Sequence, residues 1–94
     1  MTRGEVLAWL ATRRPAPPQG LRERLERAVH ELVPAPGSLL PTYLARLGRE
    51  LLEGVTARPA GGRELALDLL AADAFATYAC EAQAEDGRGE GSNT

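Results

Sequence analysis

Asp73, Thr77 and Glu81 recur at four-residue intervals in this chain of 94 residues, a spacing that sets them close together along one side of a helix. Two carboxylates and a hydroxyl on one strip suit two uses. An acid partly withdrawn from water needs a partner or a raised pKa, and general acids and oxygen-rich metal sites are made in this way. The other use is structural, a polar seam dividing two apolar faces that meet different neighbours. Nothing else in the chain completes a reactive constellation, so the structural use is the leading expectation. Asp73, Thr77 and Glu81 are then the catalytic candidates of a second reading, a small enzyme or a ligand- or metal-binding protein. The leading reading needs no catalytic residue, no metal and no cofactor.

The remaining reactive residue types support this order. His30, the sole histidine, lies opposite Leu21 and Leu25 on its helix, with no His or Cys at ligand spacing, so it is expected to face water. Cys80, the sole cysteine, has no CxxC partner and is expected to be a packed thiol. One cysteine rules out an internal disulfide and suits a reducing compartment, with cytoplasm as the expectation. Glu64 and Asp68 form a second acidic pair near a helix start, where the helix dipole favours them. Ala60-Gly61-Gly62-Arg63 precedes a helix as a phosphate loop would. No lysine follows it and Glu64 would repel a phosphate, so it reads as a turn.

Net charge is −2, and all eleven basic residues are arginine. No long-range field draws such a chain to nucleic acid or anionic lipid, and neither is expected as a partner. Arg13, Arg14, Arg22 and Arg24 alternate with Glu23, Glu26 and Glu31, the pattern of a solvated face laced with ion pairs. The only stretch long enough to span a bilayer contains Glu64, Asp68, Asp73, Glu81 and Glu85, and the N-terminus lacks the long apolar run of a secretion signal. The Ala, Arg, Gly, Pro and Leu bias, without lysine or isoleucine, resembles the output of a GC-rich bacterial genome.

Four helices position these residues, and proline and glycine mark their ends. Thr2 and Glu5 have capping-box spacing and open a helix over about 3–14, stopped by Pro15, Pro17 and Pro18. A second helix, about 18–33, buries Leu21, Leu25, Ala28, Val29 and Leu32 and carries Arg22–Glu26 and Glu23–Arg27 pairs outside. After Pro34-Ala35-Pro36-Gly37, Ser38 is placed to cap a third helix, about 39–55. Its apolar line is Leu40, Tyr43, Leu44, Leu47, Leu51 and Val55, with Arg46, Arg49, Glu50 and Glu53 opposite. Gly48 interrupts this helix at about 1 kcal/mol relative to alanine and suggests a close helix crossing, with a tolerated surface glycine as the alternative. Arg58 to Gly62 forms the next turn. From Asp86 to Thr94 no residue is apolar, and a disordered tail is expected.

The last helix, 63–85, is unlike the others. It has no glycine or proline, contains eight alanines, and is apolar around most of its wheel. Leu65, Leu69, Ala72, Ala76 and Cys80 make one stripe; Leu67, Leu70, Ala71, Ala74 and Tyr78 make another. Two faces need two partners. The expected fold is therefore all-α, a small four-helix bundle over residues 1–85, with the last helix as spine and a second copy of the chain completing the cover. The expected function is protein–protein association as a homodimeric scaffold or adaptor. Leu69, Ala72, Ala76 and Cys80 are the expected interface, and Trp9 is a further hot spot if it projects from the first helix.

Overall fold

Glu5 donates its backbone N–H to the Thr2 hydroxyl at 3.1 Å, and Thr2 N–H donates to the Glu5 carboxylate at 2.9 Å, which closes the capping box of α1 (Arg3–Ala11). These hydrogen bonds from Thr2 hold the Glu5 carboxyl below its usual range. The computed structural model describes residues 1–57 and 62–91, and every regular element among them is helical. Helix α2 spans Gln19–Glu31, α3 spans Leu40–Ala57 and α4 spans Arg63–Gly91.

The ends depart from the sequence reading for local reasons. Helix α1 stops at Ala11 rather than Arg14, because Thr12 and Arg13 donate their N–H groups to Trp9 and Leu10 in a tightened last turn. Helix α2 ends at Glu31, and Val33 is exposed beyond it. Two long-range donors close that end: the Tyr43 hydroxyl donates to Leu32 O, and Arg3 Nη2 donates to His30 O at 3.0 Å. Helix α4 continues past Glu85 to Gly91, since no proline interrupts its hydrogen-bond ladder. The expected tail thus overlaps helical backbone up to Gly91, and residues 92–94 lie outside the described residues. The expected turn at 58–62 lies outside them too, except for Gly62.

Each helix contributes to one core. Val6 of α1, Leu25 and Val29 of α2, Leu44 and Leu47 of α3, and Phe75 of α4 are buried or nearly so. Burying each is worth about 1.5–3 kcal/mol relative to exposure. The most extensive helix contact is α3 against α4. Gly48 is the reason they approach: a Cβ there would lie 3.2 Å from Ala72 O and 3.4 Å from Phe75 Cβ. The close crossing suggested by that glycine is present.

Helix α4 is less enclosed than its composition implied. Its buried line is Asp68, Ala71, Ala72, Phe75 and Ala82, which falls between the two stripes read from the sequence. Those stripes are largely the edges of the contact. Leu69, Leu70, Ala76 and Cys80 are exposed, so one flank of the helix faces water. The fully packed thiol expected of Cys80 is therefore corrected: at helical spacing it follows Ala76, on the uncovered flank, rather than Phe75.

Candidate functional site

Where α3 and α4 cross, small residues on both helices leave a groove. Ala45, Gly48 and Leu52 form the α3 bank, and Leu69, Ala72, Ala76, Ala79 and Cys80 form the α4 bank. Its volume is about 620 Å³, and its walls are overwhelmingly apolar. Leu52 and Leu69 stand 48% and 45% exposed beside it, large side chains for which the described residues supply little cover. From Leu69 to Cys80 the groove follows α4 for roughly 16 Å, at ~1.5 Å per residue.

Among the described residues two charged ones line this groove, Arg49 from α3 and Asp73 from α4. Both are exposed, and neither has a hydrogen bond or ion pair among the described residues. The charges stand on opposite banks.

The acidic strip does not act as one group. Asp73 is exposed at the groove, Thr77 is exposed outside its lining, and Glu81 turns toward α1, where Arg13 Nη1 donates to it at 2.9 Å. The desolvated carboxylate expected at Asp73 is not found, because the uncovered flank leaves it in water. Among the described residues no cluster of three or more His, Cys, Asp or Glu side chains could hold a metal ion. His30 is exposed.

Trp9 lies away from the groove, packed between neighbours. Its ring meets Tyr78 edge-on at 6.0 Å, the Arg13 guanidinium sits 3.8 Å from its centroid, and its N–H donates to Glu85 Oε1 at 3.1 Å. Burial opposes the charge on Arg13, but hydrogen bonds to Glu85 and Glu81 more than offset it and raise its pKa. Trp9 thus secures α1 to α4 rather than projecting from the surface.

No family model, curated protein or solved structure matches this chain.

A second hollow, of about 430 Å³, lies between α1, the proline-rich connection, α2 and α4, with Arg13, Arg14 and Arg22 at its walls. Glu23 and Glu26 share that lining, Arg13 is held by Glu81 and Glu85, and Arg14 donates to the carbonyls of Ala11 and Arg13. Its cations are largely committed. A third, of about 250 Å³, overlies Arg24 and Asp68, an ion pair that the sequence reading placed in solvent and near a helix start. Arg24 is instead buried, because α4 crosses α2 there and presents Asp68 to it.

Sequence reasoning missed the α3 half of the groove, having assigned Arg49 to a simple outer face. The signal was present in Ala45, Gly48 and Leu52, which share a side of α3 adjacent to its buried line. Among the described residues no helix is long and apolar enough to cross a membrane.

Proposed function

We propose that this protein works by self-association, as a homodimeric scaffold or adaptor whose contact is the α3–α4 groove. One observation carries the proposal: Leu52 and Leu69 flank an open, apolar groove about three helical turns long with small residues along its floor. Soluble monomers seldom leave a contiguous surface of this kind uncovered, and the alanines allow a helix to approach closely. Packing groove to groove would place α3 and α4 of each copy in a four-helix arrangement, the bundle that the composition of α4 calls for. Charge on the described face is sparse, which suits a contact with protein rather than nucleic acid or lipid. A reducing compartment such as the cytoplasm would keep the exposed Cys80 thiol free at that contact.

Light scattering at micromolar concentration tests the proposal. The expected mass is twice the 10.0 kDa of the chain. Ala76→Arg, which puts a long charged side chain on the floor of the groove, should return the mass to that of one chain while helical circular dichroism is unchanged. A single-chain mass for the unaltered protein at every concentration would remove the reading.

A further inference from the structure

Arg49 and Asp73 stand on opposite banks of the groove, a charge pattern that can select a partner and a register. Resting on the self-association proposed above, we infer that two copies meet about a two-fold axis through the groove. Arg49 of each copy then pairs with Asp73 of the other.

A two-fold contact must be self-complementary, since the same patch serves both sides. Arg49 stands on the α3 bank and Asp73 on the α4 bank, and among the described residues these are the only charged ones lining the groove. Rotation by half a turn about an axis that lies in the interface and runs parallel to the groove turns the two faces toward each other and carries the α3 bank of one copy over the α4 bank of the other. The cation therefore arrives over the anion, twice. A half-turn about an axis in the interface but across the groove would instead lay α3 on α3 and α4 on α4, setting like charge toward like.

The charges are available for this use. Each is exposed, and neither is engaged among the described residues, although other arginines and acids of the chain find partners across helices, as Arg13 does with Glu81 and Arg24 with Asp68. Apolar walls with one positive and one negative rim also discriminate. A chain carrying like charges at those points is repelled, so the pair fixes orientation more than it adds affinity.

The test uses the full chain with Arg49→Asp and Asp73→Arg, measured by light scattering and, in mixtures, by native mass spectrometry. In each single variant both cross-axis pairs become like-charged, and the dimer dissociation constant should rise by at least about tenfold. Mixed in equal amounts, the Arg49→Asp chain is acidic at both groove positions and the Asp73→Arg chain basic at both. Opposite charges then meet at each cross-axis contact, so a one-to-one heterodimer should form from two chains that do not pair alone. Circular dichroism of each variant shows that the fold is retained. If both single variants dimerise as tightly as the unaltered chain, the charges do not meet and the inference falls, while self-association stands and Ala76→Arg still decides whether the groove is its contact. If both dissociate but the mixture does not pair, the charges do not cross the axis and the inference again falls. An unaltered chain that never dimerises overturns the underlying reading as well.

Discussion

Arg24 and Asp68, 44 residues apart in sequence, meet inside the protein: Arg24 Nε donates to Asp68 Oδ1 at 2.5 Å, and each side chain is only 8% exposed. The pair ties α2 to α4 beside the apolar residues Ala28, Leu47 and Leu51, where an unpaired charge would be costly.

Removing one member should therefore cost more than removing both. Arg24→Met or Asp68→Leu alone removes the nearest buried partner of the other charge, although Glu31 stays 3.5 Å from Arg24, and is expected to lower stability by about 3–5 kcal/mol. The double replacement should recover most of that loss, because two apolar side chains of similar length fill the same space. Urea unfolding of the four proteins checks this. A double variant as unstable as the sum of the singles would contradict it.

Glycine-to-alanine substitution should have opposite signs at two places in the molecule. At Gly48 the new methyl group meets the Ala72 carbonyl at 3.2 Å, and that atom is backbone in a packed helix with little room to retreat. Overpacking of about 1–3 kcal/mol then outweighs the ~1 kcal/mol gain in helix propensity. At Gly20, in the first turn of α2, nothing lies within 4 Å, and alanine should stabilise by about 0.5 kcal/mol. Thermal midpoints of the two variants decide the matter.

The chain has two tyrosines, and burial is the main cause holding both phenols above their ordinary pKa. Below about pH 10 they are neutral in the folded and the unfolded chain and contribute no pH dependence. Above it the unfolded chain releases protons that the folded chain retains, so stability should decline as pH rises toward the folded values. Tyr43→Phe and Tyr78→Phe should each flatten that decline. The Tyr43 variant should also be less stable at neutral pH, by about 1 kcal/mol, since Leu32 O then loses its hydroxyl donor at the end of α2. Urea midpoints measured from neutral to alkaline pH would separate the two effects.

Much of the fold was legible because proline and glycine punctuate the chain and the α3 pattern has a single apolar line. The capping box at Thr2 and Glu5 is a local feature, and local spacing was enough to find it. What local spacing does not encode is which side of α4 meets the core. That helix is apolar on several sides, so Phe75 and Ala71 gave no stronger signal than Leu69 and Leu70, and only the crossing at Gly48 selects among them. The same ambiguity hid the site. Asp73 and Glu81 share a strip in one dimension, but α1 claims Glu81 through Arg13, while Asp73 remains with the groove. Arg24 and Asp68 each resembled a surface charge until the other was placed beside it.

Helix α1 is held to α4 largely through one arginine. Arg13 lies over the Trp9 ring and donates to both Glu81 and Glu85, while Glu85 also accepts the Trp9 indole N–H. Cation–π attraction and charge-assisted hydrogen bonds thus converge on one side chain, which keeps the short helix against the C-terminal half of α4. Because Trp9 is the only tryptophan, its emission reports this contact directly. Arg13→Ala should shift the emission to longer wavelength and lower stability by about 1–2 kcal/mol, a loss reduced by the partial exposure of both glutamates. Arg13→Lys keeps the charge but not the planar stack or the forked donors, so it should restore only part of either effect. Glu85→Gln keeps an acceptor for the indole and removes one ion pair, and its emission should stay close to that of the unaltered chain. If Arg13→Ala leaves the emission unmoved, Trp9 is held by Tyr78 and Glu85 without the arginine, which is then an ornament of the surface rather than the clasp between α1 and α4.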